Sequence, residues 1–445
     1  MIRAMEYRNS ILASAALLAL EAGPVFAGDP DDLKAEIATL QSRLDQLEKQ
    51  QSARTDVKTT AVAPVDAVVG GDFPGSFKLP GSDTSIAIHG YTKLDMIYSF
   101  DANMGDKFVE SSIPGNHNAL SNVGPQLRAH ARQSRLTLET RTPTNYGQMG
   151  TYIETDFFGT SPGSAGGNNT SNQRLRQAYG TLGNWLFGQS WTNFMAVESQ
   201  PETLDHDGPV GDIEARQAQV RYTYISGKWA IAGALENPAG KVGQVTGTGD
   251  AAVFTPGSPV SVGSGATRTG ANDVVDRMPD ITASIHYTDD WGHMVAAGVI
   301  RYFAVDNGDD PGNSSGPTIQ HSADTLAGGG LVGATINSGQ WIGGAFAKDQ
   351  LGIHGFVGQG INRYIDKASS RQGDVIDFVA ADGSPSLQTQ MQYGGFFWVL
   401  HHWSDQLRTN AVFGIDRQNW KSGVPVSPSS TSQVQQVESV HVNLI

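Results

Sequence analysis

The chain has 445 residues, Gly at 53 positions and no cysteine. Charged residues make up 17% of it, against about 25% in ordinary soluble domains, and the formal charge is −14. That acidity argues against nucleic acid as a partner, the absence of cysteine rules out disulfides and a lipid-bearing cysteine anchor, and no run approaches the roughly 18–20 apolar residues of a membrane helix.

The N-terminus reads as an export signal, Met1–Ala27. Arg3 and Arg8 give a positive start, Ile11–Leu20 an apolar core too short to span a membrane, and Val25-Phe26-Ala27 a small-x-small cleavage site. Residues 28–50 follow with Leu33, Ile37, Leu40, Leu44 and Leu47 spaced four, three, four, three and charged residues between them. This is the seam of a short coiled coil. About two heptads are marginal alone, so the seam predicts association of chains that something else already holds together. The Ala/Val/Pro-rich residues 51–83 then serve as a linker.

From residue 84 to 445 the chain takes on one rhythm. Amphipathic strands are joined alternately by tight polar turns (TPTNYG after Arg141, LGN at Leu182, ISGK at Ile225, TDDW at Thr288, NSGQ at Asn337, WSDQ at Trp403) and by long Gly/Ser/Asn/Asp-rich connections. Short turns at one end and long loops at the other are the pattern of a transmembrane antiparallel β-barrel. Along the first strand Ile86, Ile88, Leu94, Met96, Tyr98 and Phe100 share one face, while His89, Tyr91, Lys93, Asp95 and Ser99 share the other. In a barrel those faces meet lipid and lumen. Aromatic residues near strand ends (Tyr98, Phe157, Trp185, Trp229, Trp291, Tyr302, Trp341) suit the two interfacial girdles. About fourteen strands are countable. The last, Val434–Ile445, lacks the terminal aromatic usual in such barrels, which predicts a sixteen-strand plan without its final hairpin.

Strands also dictate where arginine goes. Exposing Arg to lipid at mid-membrane costs roughly 2–4 kcal/mol, so Arg135, Arg141, Arg174, Arg176 and Arg221, all at strand positions, are expected to face the lumen. There guanidinium groups attract carboxylates and hold them in a bidentate fork. The structural alternative is that each pairs with Glu139, Glu154, Asp156 or a loop acid and stiffens the wall. The third long connection, Ser190–Asp212, is expected to fold inward as a constriction carrying Trp191, Glu202, Asp205 and Asp207 opposite those arginines.

Enzyme-like strings fail on context. Two G-x-S-x-G matches, at Gly159 and Gly312, sit in loops without a following helix, and Gly328-x-Gly330-x-x-Gly333 runs into a strand. The adjacent His401 and His402 point to opposite faces and cannot share a metal. Asp205-His-Asp207-Gly lacks the spacing and terminal Glu of a calcium loop. No catalytic set, resident metal or cofactor is expected.

Four segments resemble the DcaP-like trimeric outer-membrane porins: Phe77–Phe100, Arg132–Pro143, Arg174–Met195 and Pro201–Tyr224. The coiled coil that precedes them is similar too. The resemblance implies a homotrimeric barrel in the bacterial outer membrane, with its coiled coil in the periplasm, taking up small anionic solutes such as dicarboxylates. The expected function is therefore passive diffusion of carboxylate solutes through an arginine-lined constriction. An adhesive barrel that tethers envelope layers through the coiled coil is the alternative.

Overall fold

The computed structural model describes residues 69–102, 105–108, 124–159, 171–205, 207–238, 242–246, 253–255, 273–306, 322–365, 374–379, 386–419 and 435–445. The export signal, the coiled coil and most of the linker lie outside the described residues. The chain divides after Val69 into two units, and the second carries everything described below.

Its main sheet has 17 strands, three of them two-residue pieces, which leaves the fourteen full strands expected. In chain order the segments are β1 (Ser85–Tyr91), β2 (Asp95–Ser99), β3 (Gln126–His130), β4 (Arg135–Thr144), β5 (Gly147–Gly159), β6 (Asn172–Leu182), β7 (Trp185–Trp191) and β8 (Arg216–Ser226). There follow β9 (Trp229–Glu236), β10 (Asp280–Asp289), β11 (Gly292–Asp306), β12 (Ser322–Ile336), β13 (Gln350–Gln359), β14 (Met391–His402), β15 (Arg408–Asn419) and β16 (Gln436–Leu444). β2 and β3 pair as a separate two-stranded ribbon that continues β1 and β4. Three residues lie between Tyr91 and Asp95 but four between their respective partners Arg135 and His130, so the second strand carries one extra residue where the ribbon leaves the sheet.

From β4 onward each strand pairs antiparallel with the next, as short turns require. β1 pairs with β4 on one edge and with Phe77–Lys78 on the other, since Ser85 has partners in both.

The alternation is inside out, as a barrel in lipid demands. Ile88, Leu136, Phe187, Tyr224, Ile231, Ile300, Val332, Ile353, Phe413 and Val442 are exposed, while Thr137, Glu154, Gln219, Thr282, Arg301, Gln392, Asn410 and Gln418 are buried. Water-soluble sheets bury the opposite set. No helix among the described residues is long and apolar enough to cross a membrane, and the crossing elements here are strands.

Two connections differ from the sequence reading. The NSGQ segment is not a tight turn: Ile336 and Gln350 are separated by an α-helical turn (Gly339–Ile342) and a 3-10 turn (Gly344–Phe346). The loop is closed at its base by hydrogen bonds from Gly339 N (2.9 Å) and Ser338 Oγ (3.2 Å) to the Asp349 carbonyl. These local bonds satisfy backbone groups that a two-residue turn would have paired across the ladder. Long connections are also not all irregular. Val242–Thr246, Val253–Thr255, Val375–Val379 and Leu387–Thr389 form a second, four-stranded sheet. It includes a parallel pairing between segments more than a hundred residues apart, which no local pattern announces.

Candidate functional site

Two structures meet in the lumen: a wall of paired charges on β4–β6 and the connection between β7 and β8, which folds inward.

The wall is shaped by a bulge. Glu154 lies opposite Gln177 but Thr155 lies opposite Leu175, so Arg176 is the extra residue and its side chain enters the lumen wall beside that of Gln177. Arg176 Nε donates to Glu154 at 2.6 Å and Nη1 to Asp156 at 2.9 Å. Arg174 forks onto the same Asp156 at 2.9 and 2.6 Å, and Arg135 lies 3.6 Å from Glu154. Aromatic faces back the cations. Trp191 sits under Arg176 and Arg216 at 5.8 and 5.0 Å, and Phe158 under Arg132 and Arg174 at 5.0 and 5.4 Å. Arg135, Arg174 and Arg176 are thus brought together around two carboxylates.

The other two arginines stand apart. Arg141, nearer the short turn of β4, pairs with Glu139 at 2.7 Å over the ring of Phe73. Arg221, on β8, donates to the Trp191 carbonyl at 3.5 Å and has no acid partner among the described residues.

The inward loop is anchored rather than draped. Phe194, Ala196 and Ile213 are buried with Val295, Val299, Leu331, Phe356 and Ile361 in the largest apolar cluster of the unit. Burying a side chain such as Phe or Ile contributes about 1.5–3 kcal/mol, enough to hold the segment inside. Polar anchors add to this. The Glu236 carboxylate accepts from Thr192 Oγ1 (2.7 Å) and Asn193 N (2.8 Å), and Trp398 Nε1 donates to the Ser199 carbonyl at 2.8 Å. The wall makes room for the loop: a Cβ on Gly333 would lie 2.6 Å from that of Ala196, and one on Gly414 2.2 Å from the Val210 carbonyl oxygen.

After Ser199 the loop reaches the strand ends beside the short turns, where Glu202 forks onto Arg408. It then crosses between the first and last strands. Leu204 N donates to Asn443 (3.0 Å) and Val210 N to Ser439 (3.0 Å) on β16, while Lys93, from the segment joining β1 and β2, donates to the Leu204 carbonyl (3.2 Å). Asp205 accepts from Phe108 N at 3.3 Å, and Asp207 pairs with Lys107 at 2.8 Å. Glu202 and Asp207 therefore pair with Arg408 and Lys107, while the wall arginines take wall acids.

A second segment packs against the inward loop through the buried Ile361, Tyr364 and Ile365. The Tyr364 hydroxyl lies within donating distance of two carboxylates, Asp280 at 2.9 Å and Glu236 at 3.2 Å, and the fully buried Arg301 bridges Asp280 (2.9 Å) and Asp374 (2.7 Å). Beside it a cavity of about 280 Å³ is lined by Gln189, Glu214, Arg216, Gln217 and Arg363, among others. Arg301 was discoverable in the sequence, since it alternates with Ile300 and Tyr302 just as Arg221 alternates with Val220 and Tyr222. Arg363 lies in a long loop, where no periodicity points to it.

An antiparallel barrel with an apolar outer face, a polar lumen and an inward loop defines the class of outer-membrane porins and channels. The chain belongs to the DcaP outer membrane protein family, whose family model matches residues 24–254. Porin Omp2a of Brucella melitensis biotype 1 is 24% identical over 238 residues, 52% of this chain and 55% of the relative. The chain thus spans about half the length of that curated relative. The crystal structure of the outer membrane channel DcaP of Acinetobacter baumannii is similar with a TM-score of 0.57 at 20% identity, covering 79% of this chain and 82% of that one. That likeness is one of fold.

Proposed function

We propose that this protein is a passive porin for small solutes with a preference for carboxylates, acting as a homotrimer in the outer membrane with its coiled coil in the periplasm. The observation that carries the reading is Arg221. It is a lumen-face guanidinium beside the root of the inward loop, without an acid partner among the described residues. Arg174 adds to it: its side chain stays 25% exposed although it is paired with Asp156. In a low-dielectric channel a cation left uncompensated raises the local concentration of anions. The paired arginines shape the passage more than they charge it. The relatives, a porin and a channel, support passive transport over catalysis.

Reversal potentials of the full chain in planar bilayers under a salt gradient test this. Anion preference is expected at low salt, weakening as the Debye length falls from about 10 Å at 0.1 M to about 3 Å at 1 M. Arg221→Ser should reduce it and slow uptake of a dicarboxylate more than of a neutral sugar. Cation preference of the unmodified pore at low salt overturns the proposal. The trimer is tested separately by light scattering corrected for detergent, and a monomer would refute it.

A further inference from the structure

Glu198 is far in sequence from His286 and His293, and the three meet on the lumen face, their ligand atoms all within 4.8 Å of one another. On the β10–β11 ladder His293 is opposite Thr288 and His286 opposite Val295. The two imidazoles are therefore diagonal neighbours on the inner face, close to the turn that joins the strands. Glu198 comes from the 3-10 turn Val197–Ser199 of the inward loop. That turn is seated on the wall by Thr335 Oγ1, 2.7 Å from the Glu198 carbonyl, and by the Trp398 bond to Ser199.

The separations are those of a coordination shell. His286 Nδ1 is 3.3 Å from His293 Nε2, and Glu198 Oε2 is 3.4 Å from His293 Nε2 and 3.8 Å from His286 Nδ1. Four donors placed tetrahedrally about 2.0–2.1 Å from a zinc ion lie about 3.4 Å from each other. The far ring nitrogens have partners as well. His293 Nδ1 lies 2.8 Å from Thr288 Oγ1, and His286 Nε2 lies 3.2 Å from Ser284 Oγ. With each far nitrogen donating to its hydroxyl, both facing nitrogens are left unprotonated with a lone pair to offer, the arrangement by which second partners fix the tautomer of a ligating histidine. The side chains of Glu198, His286 and His293 are 33%, 22% and 11% exposed, so an ion reaches them from lumen water.

We propose that Glu198, His286 and His293 form a binding site for a divalent transition-metal ion of the zinc class, which clips the inward loop to β10 and β11. Two imidazoles with one carboxylate select such ions over calcium and magnesium, which take oxygen donors. Three protein donors leave a fourth position for water or an anion. Arg221, the remaining charged group that acts on His286, favours the anion. The site does not depend on the ion selectivity proposed above, because its test measures binding and not flux.

The test is equilibrium dialysis of the full chain in detergent against Zn²⁺ alone, with metal analysis and a thermal melt of the folded barrel. One ion per chain and a melting midpoint raised by Zn²⁺ are expected. His286→Asn/His293→Asn should abolish both effects, and Glu198→Gln should weaken binding roughly tenfold or more. Co²⁺ in place of zinc should give the intense visible absorption of tetrahedral coordination in the unmodified chain only. Folding of each variant is checked by its shift in gel mobility on heating. Equal zinc uptake by the folded double variant would assign binding to other histidines and overturn the site, as would the absence of stoichiometric uptake by the folded unmodified chain.

Discussion

Arg176 and Asp156 face each other across the β5–β6 bulge at 2.9 Å, both side chains without solvent exposure. Removing one member of a buried pair costs about 3–5 kcal/mol when the other is left wholly unpaired, and Asp156 keeps the fork from Arg174, so the loss of Arg176 costs less than that. Arg176→Ala should still lower the temperature at which the folded barrel disappears from gels. The negative charge uncovered by losing Arg176 sits in the buried side chains of Glu154 and Asp156, away from the water of the passage, so the substitution should shift the reversal potential less than Arg221→Ser does. A larger selectivity change for Arg176→Ala would mean that Arg176 senses passing ions.

Gly333 and Gly414 are where the wall yields to the inward loop. A valine at either place puts carbon within 2.6 Å of Ala196 Cβ or 2.2 Å of the Val210 carbonyl oxygen. One strand position cannot move without its ladder, so the loop is displaced instead. Single-channel conductance of Gly333→Val and Gly414→Val should rise while the heat-resistant barrel persists. Unchanged conductance in a folded variant would show that the loop does not set the narrowest section.

The barrel was legible because lipid imposes a rule on every strand. Period-two alternation and the cost of lipid-exposed arginine placed Ile88, Tyr224 and Arg221 on the faces where they are found, and the inward connection was singled out by its place as the third long one. The pairing of charges was less legible. Glu154, Asp156, Arg174 and Arg176 share two adjacent strands, but the bulge that brings Gln177 inward beside Arg176 leaves no trace in composition. Contacts between distant segments were not legible at all. Glu202 with Arg408, Tyr364 with Glu236, and Glu198 with His286 and His293 all depend on how loops return into the lumen, and side-chain periodicity carries no information about that.

Glu202 and Arg408 hold the point at which the inward loop reaches the short-turn end. Glu202→Gln should loosen that segment and raise current noise through the open pore, and Arg408→Ala should do the same with additional loss of stability. A charge swap, Glu202→Arg with Arg408→Glu, should recover part of the quiet state, since close pairs couple by about 0.5–3 kcal/mol. If the swap is as noisy as the two single changes, the pair is not what steadies the loop.

The first long connection has its own clasp, and it has a pH window. The Asp106 carboxylate accepts from Arg128 at 3.2 Å and Arg132 at 2.7 Å, while its neighbour Lys107 tethers Asp207 of the inward loop. Burial pushes the Asp106 carboxyl up, but the hydrogen bonds from Arg132 and Arg128 outweigh it and hold the group below its ordinary value. A carboxyl depressed in the folded state stabilises fully above its unfolded value of about 3.9. That contribution disappears as pH falls through the lower, folded value. The clasp should thus stay closed from neutrality down to about pH 4 and open only in stronger acid. Because the chain has no cysteine, a spin label on Ala102→Cys reports the connection alone. Its spectrum should remain immobile across the weakly acidic range and sharpen below it, whereas with Asp106→Asn added it should be mobile at every pH. Sharpening already near neutrality in the otherwise unmodified chain would remove Asp106 from the clasp.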